Sequence, residues 1–209
     1  MHAEIGAGIS HYDKQGDNVW YQEGMEHHLG LSAPVLSAGF TGPVIARDAW
    51  GIDWHVDYVY LAHVSSQCEC TPVDANYSTQ THALVNPTPV SVPNANFVGN
   101  GNAQGIALTL EPYVRYRGWR VGVEAGLFPY RPAWDVTVTN WSDMPDAPTT
   151  TVQADTPHTW QLGKVAGVSI GRGPLSIAYQ HYWLPTRFDA AHSPAIWKGA
   201  DVLMVRYRF

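Results

Sequence analysis

The chain is short of charge and of long apolar runs. Asp, Glu, Lys and Arg make up 14% of its 209 residues, against about 25% in an average soluble domain. No stretch of 18 or more apolar residues occurs, which excludes a membrane-spanning helix. The most apolar window, Leu29 to Phe40, is broken by Gly30, Ser32, Pro34, Ser37 and Gly39. There is no basic run, and the formal net charge is −6. The electrostatic footprint of nucleic-acid binding is therefore missing, and no such partner is expected. Cysteine is nearly absent: only Cys68 and Cys70 occur, one residue apart. No apolar leader precedes Met1-His2-Ala3-Glu4. The expectation is that a signal peptide has been removed and that Met1 replaces it; an encoded sequence without an upstream leader would count against this.

Aromatics are plentiful at 12%, with Trp 9 and Tyr 11, and Gly 19 and Pro 15 point to many turns. Such a chain needs extensive apolar surroundings, which a protein core or a lipid bilayer can supply. The length fits one domain, 1–209.

The dominant pattern is period-two alternation, the mark of a strand with two unlike faces. From Ile106 to Arg117 one face reads Ile106, Leu108, Leu110, Pro112, Val114, Tyr116 and the other Ala107, Thr109, Glu111, Tyr113, Arg115, Arg117. Eight such segments are predicted, near 3–12, 33–42, 50–61, 106–117, 119–128, 158–170, 175–184 and 200–209. Tight connections, such as Arg117-Gly118 and Gly171-Arg172-Gly173-Pro174, alternate with long ones rich in Pro, Asn, Asp, Ser and Thr, at about 13–32, 65–103, 131–157 and 185–197. The fold expected is all-β, an eight-stranded antiparallel up-and-down transmembrane β-barrel.

Four features favour a membrane barrel over a soluble one. Strands of about 11 residues at ~3.3 Å each and a tilt near ~40° rise roughly 27 Å, close to the ~25 Å apolar band. Short turns gather at one end and long loops at the other. Aromatics stand near strand ends as candidate interfacial girdles: Trp50, Tyr60, Tyr116, Trp119, Trp160, Trp183, with Trp197 and Phe209 added. The polar face carries many glycines, which a narrow eight-stranded lumen requires. Lys164 is the exception, a cation on the apolar face of its strand; a bulge or an interfacial position would reconcile it.

The last ten residues, with Leu203, Val205, Tyr207 and Phe209 on one face, resemble the terminal strand of outer-membrane proteins, and the whole layout resembles the small OmpA/OmpX-like barrels. That resemblance implies a Gram-negative outer membrane, periplasmic termini, extracellular long loops, and recognition of the terminal strand by the barrel-assembly machinery. It implies outer-membrane lipid and lipopolysaccharide as surroundings. The ligand of the loops, an extracellular partner, is not encoded in any motif.

The inward charges are expected to be Glu4, Asp53, His55, Asp57, Glu111, Arg115, Arg117, Arg120, Glu124, Arg206 and Arg208. They form an ion-conducting lumen or a salt-bridged plug, and the narrowness of eight strands favours the plug. Asp53, His55 and Asp57 at i, i+2, i+4 match a metal-ligand spacing, but a hydrogen-bonded ladder is preferred, and no metal or cofactor is expected. Cys68 and Cys70 could form a strained disulfide in an oxidising exterior or bind metal with His27 and His28. His63 and Ser65 share a face near a strand top and faintly resemble the site of barrel enzymes that deacylate or acylate lipid A, with Asp13 or Asp57 as third member. The Asn that follows the Ser in the deacylase pattern is absent, Ser66 standing there. His11, His158 and His181 are expected at the outer rim as interfacial polar residues. The favoured function is non-enzymatic binding or adhesion through surface loops; the alternatives are a lipid A-modifying enzyme and a narrow pore.

Overall fold

The computed structural model describes residues 1–14, 26–70, 77–78, 83–84, 95–141, 148–156, 158–185 and 195–209. Its strands are β1 (His2–Lys14), β2 (Glu26–Gly30), β3 (Ser32–Ala46), β4 (Trp50–Cys70), β5 (Tyr77–Ser78), β6 (Ala83–Leu84), β7 (Ala95–Tyr116), β8 (Trp119–Trp141), β9 (Thr150–Asp155), β10 (Gln161–Arg172), β11 (Leu175–Trp183) and β12 (Trp197–Arg208). β1, β3, β4, β7, β8, β10, β11 and β12 pair antiparallel in that order, and β12 returns to β1 through a ladder from Glu4↔Arg208 to Tyr12↔Ala200. Eight strands thus close a ring with the layout of the small OmpA/OmpX-like barrels. Closure leaves no unpaired edge at membrane depth, which hydrocarbon would not tolerate.

Tight turns lie together at the end that holds both termini. Between β7 and β8, Arg117 and Gly118 have φ of 49° and 82°, the pair of positive values that a two-residue hairpin of matching twist needs. Gly173 supplies a positive φ, 62°, in the turn between β10 and β11.

Alternation assigned the faces correctly. Ile5, Ile9, Leu36, Phe40, Val56, Ile106, Leu108, Leu110, Val121, Val123, Leu127, Val168, Ile170, Ile177, Leu203 and Val205 all point outward and are exposed. A contiguous apolar surface of that extent marks a face covered by something other than water, and around a closed barrel that is lipid. The outward residues Trp50 and Tyr60, ten positions apart on β4, are separated by about 25 Å along the barrel axis at ~3.3 Å per residue and ~40° tilt. Trp50, Tyr116, Trp119 and Phe209 are exposed at the turn end, and Trp160 and Trp183 towards the other, as a pair of girdles requires. Leu203, Val205, Tyr207 and Phe209 line one outward face of the C-terminal strand.

Small residues make the interior possible. A Cβ on Gly122 would collide with the Glu111 carboxylate, and one on Gly6 with the Ser37 hydroxyl. These glycines face filled space rather than a channel.

Several boundaries differ from the sequence reading. Residues 65–70 and 95–103, placed in a long connection, continue β4 and β7, with pairs from Val64↔Gly101 to Cys70↔Ala95. Residues 131–141 likewise extend β8, and 150–155 form β9 beside it. Within 13–32, Glu26–Gly30 pair with β4. These segments are rich in Asn, Thr, Ser and Gly, which read as loop, and the cross-strand ladder overrides that local preference. Trp197 is not in a girdle. A register shift beside Lys14 turns it into the lumen, where it is fully buried against Tyr12, 5.0 Å between centroids, and Trp134, 5.4 Å. Lys164 does face outward, without a bulge, directly opposite Trp183 at the upper end of β11, so its ammonium reaches the interface.

Lys164 and the mid-belt Leu108 therefore set opposite expectations. Leu108→Arg should destabilise the folded barrel by roughly 2–4 kcal/mol and Lys164→Leu by less than about 1 kcal/mol, read from urea unfolding of the refolded protein in lipid.

Candidate functional site

The lumen has two storeys. The one near the turns is ionic. His55 lies between two carboxylates, Nδ1 3.3 Å from Glu4 Oε1 and Nε2 2.9 Å from Glu111 Oε2. Arg120 Nη1 donates to Asp53 Oδ2 at 2.6 Å, and Arg120 Nη2 and Ser169 Oγ both donate to Glu111. Arg206 Nη1 donates to Glu124 Oε2 at 3.0 Å, and Thr109 Oγ1 donates to Glu124 Oε1 at 2.6 Å. Arg208 links Asp53 Oδ2, 3.4 Å, to Glu4 Oε2, 3.6 Å. The chain of contacts Asp53–Arg120–Glu111–His55–Glu4–Arg208–Asp53 closes on itself, drawing on β1, β4, β7, β8 and β12. Each member stands on an inward position fixed by strand alternation.

The storey above is aromatic. Tyr12, Phe128, Tyr130, Tyr182, Leu61, Val35, Leu184 and Trp197 are fully buried there. Phe128 packs edge-on against Tyr182, 4.8 Å between centroids. Tyr12 Oη donates to the Leu61 carbonyl at 3.0 Å and accepts the Ala103 N–H at 3.2 Å. Tyr130 Oη donates to the Pro185 carbonyl at 2.9 Å. Below both storeys a cavity of about 280 Å³ is lined by Glu4, His55, Arg115, Arg120, Ser169, Arg206 and Arg208 among others, on the turn side.

Nine of the eleven charges expected inside join this lower storey or border it. Glu4, Asp53, His55, Glu111, Arg120, Glu124, Arg206 and Arg208 form the network. Asp57 is buried just above, its Oδ1 without a hydrogen-bond partner among the described residues. The other two stand outside the network, although Arg115 lines the cavity below it. Arg115 lies at the exposed turn end, donating to Tyr113 Oη at 3.2 Å. Arg117 belongs to the turn itself and lies over the Tyr116 ring at 5.2 Å; the strand ends before it, so parity no longer governs where it points. Asp53, His55 and Asp57 do share a face, but Asp53 is held by arginines while His55 is held by Glu4 and Glu111, so the three do not converge on a common point. Glu4, His55 and Asp57 come closer together. Thr109, Ser169 and the Tyr12, Tyr130 and Tyr182 hydroxyls were not singled out in the sequence, although each has inward parity in its strand.

The His63–Ser65 pair is not assembled. A register shift between Leu61 and Val64 leaves His63 exposed, with Nε2 3.1 Å from Asn102 Nδ2 and Nδ1 3.1 Å from Tyr60 Oη. Both ring nitrogens are engaged elsewhere, and Ser65 pairs with Gly30 and Asn100. Asp13 lies on β1, and Asp57, although on β4 with them, is buried inside the lumen. The disulfide expected between Cys68 and Cys70 and the metal site with His27 involve side chains outside the described residues. His158 lies 3.8 Å from Asp135 at the surface.

No family model matches the chain, and no curated protein matches it. Among solved structures, the attachment invasion locus protein Ail of Yersinia pestis aligns with 100% of this chain and 98% of its own at 10% identity and a TM-score of 0.40. Ail in complex with the heparin analogue sucrose octasulfate gives 12% and 0.42 over the same shares. The toluene transporter TbuX of Ralstonia pickettii aligns with 100% of this chain and 89% of its own at 11% identity and a TM-score of 0.30.

Removing one member of a buried ionic network leaves its partners uncompensated. Arg206→Met should therefore destabilise the barrel by roughly 3–5 kcal/mol, with Glu124 and Glu4 left facing each other across an apolar side chain. Adding Glu124→Gln should recover part of that loss, measured by the urea midpoint of the heat-modifiable folded form.

Proposed function

We propose that this chain is an outer-membrane barrel of a Gram-negative bacterium whose strands project outside the cell as a binding platform. One observation carries the reading. β4, β7 and β8 are 21, 22 and 23 residues long, about twice the ~11 needed to cross the apolar band. Beyond the belt their outward face changes chemistry while the alternation continues. On β7 the outward series Leu110, Leu108, Ile106 gives way to Gln104, Asn100, Val98 and Asn96. On β8 it passes from Leu127 to Arg131, Asp135, Thr137 and Thr139, and on β4 from Tyr60 to His63 and Gln67. The inner face of the same stretch stays buried and mainly apolar, with Val64, Trp134, Val136 and Val138 beside Ser66 and Asn102. A sheet that keeps a packed face and offers a polar, Asn- and Thr-rich one is suited to hydrogen-bonding a macromolecular surface. In this orientation the termini and tight turns are periplasmic.

The pore reading is opposed by the two-storey lumen, since the ionic network and the aromatic layer fill the space that water would occupy. Purified protein in planar bilayers should show no stepwise conductance; reproducible unitary steps would overturn the plug.

For the platform, Gram-negative cells displaying the full chain should attach to cultured epithelial layers more than cells displaying a trimmed barrel. In the trimmed barrel a short Asn-Gly turn replaces residues 64–101. Equal attachment, with both barrels folded in the outer membrane, would sink the reading.

A further inference from the structure

Four adjacent strands bring four polar residues into one row on the outside of the barrel. Ser32 of β3 is paired with His11 of β1, His11 with Asp201 of β12, and Asp201 with His181 of β11. Ser32 Oγ lies 3.0 Å from His11 Nδ1, and both residues are exposed. On the other flank of His11, Asp201 accepts from Tyr179 Oη at 2.6 Å, and its Oδ1 lies 2.9 Å from His181 Nδ1. These bonds hold the carboxylate on His181 and Tyr179, and it faces His11 as the directly opposed residue of the next strand.

The row has a defined depth. The outward neighbours two residues towards the turns are Ile9 and Leu203, part of the apolar belt. One pair further towards the projecting end stand Trp183 and Lys164, which mark the interface. Hydrocarbon ends at this level and head groups begin, and that is where the ester bonds of membrane lipids lie.

We infer that Ser32 and His11 form a nucleophile–base pair that hydrolyses a fatty-acyl ester of an outer-leaflet lipid, with Asp201 as a positioning residue. This rests on the orientation proposed above only for the choice of leaflet. Ser32 Oγ adds to the acyl carbonyl carbon as its proton passes to His11 Nδ1. The C–O bond to the lipid alcohol then breaks, and the alcohol leaves with that proton. Water, deprotonated by His11, cleaves the acyl-serine and releases the fatty acid. The Asp201 carboxylate stabilises the imidazolium that forms in each half. The acyl chain lies along the belt below, and no channel through the barrel is needed.

The test uses the full chain refolded in detergent and in vesicles whose lipid is present in both leaflets, so that orientation does not affect the result. A long-chain fluorophosphonate should label Ser32. Ser32→Ala should abolish labelling, and His11→Asn should slow it by roughly 10²–10⁴-fold, with both variants keeping the heat-modifiable shift of a folded barrel. Asp201→Asn should lower the rate and displace its pH profile, which a purely structural role would not do. Fatty acid released from phosphatidylethanolamine vesicles would assign a glycerophospholipid ester; release only when lipid A is added would assign a glycolipid ester. Labelling that survives Ser32→Ala, or no fatty acid from either vesicle with a folded barrel, would overturn the proposal without touching the binding platform.

Discussion

Every backbone N–H and C=O at membrane depth must find its partner within the protein, because hydrocarbon offers none. The ladder between β1 and β12 meets that demand, turning eight strands into a ring, and the rest of the molecule depends on it. Closure gives the barrel an outside, which meets lipid, and an inside too narrow for anything but side chains. It also brings Glu4 at one end of the chain beside Arg206 and Arg208 at the other. The ionic storey exists because the ring is closed, and it in turn fastens the two terminal strands together.

The lumen divides its work by chemistry. Near the turns, carboxylates and guanidinium groups fill the interior and neutralise one another, with glycines such as Gly122 making room. Above them, aromatic rings pack against one another, and the Tyr12 and Tyr130 hydroxyls end on backbone carbonyls, that of Tyr182 on Gln180. The buried charge costs desolvation, and complementary pairing offsets it. Outside the membrane three strands keep pairing for some ten residues more, and the same alternation that served lipid now serves water. The barrel is thus a stem for the sheet above it, and its rim, where the two environments meet, is where polar side chains gather outside the ring.

Much of this was legible in the sequence because the side-chain period of a strand is 2. Alternation over Ile106 to Arg117 and over Leu203 to Phe209 assigned outside and inside with few errors, and Trp50, Tyr116 and Trp183 are exposed as outward residues. Errors arose where parity is interrupted. The register shift beside Lys14 turned Trp197 inward. After the shift behind Leu61, His63 shares the outward side with Ser65 but turns to Tyr60 and Asn102 instead of to it. The end of the strand released Arg117. The strand extensions were missed for a different reason: Asn96, Asn100 and Gly101 have loop composition, and only their partners across the ladder hold them extended.

What the sequence determined by itself is the period, the two faces and the segregation of short turns from long connections, and these require only local geometry and the difference between lipid and water. It determined which residues point inward as charges, Arg115 and Arg117 at the turn end apart. Only the tertiary structure decided which of them meet. His55 lies between Glu4 and Glu111, residues 51 and 56 positions away, through the registers of neighbouring and closing strands. Ser32 reaches His11 only through the β1–β3 ladder, and Asp201 joins them only because β12 closes on β1. Register is a property of pairs of strands, set when all the apolar faces turn to lipid together, and no single strand carries it.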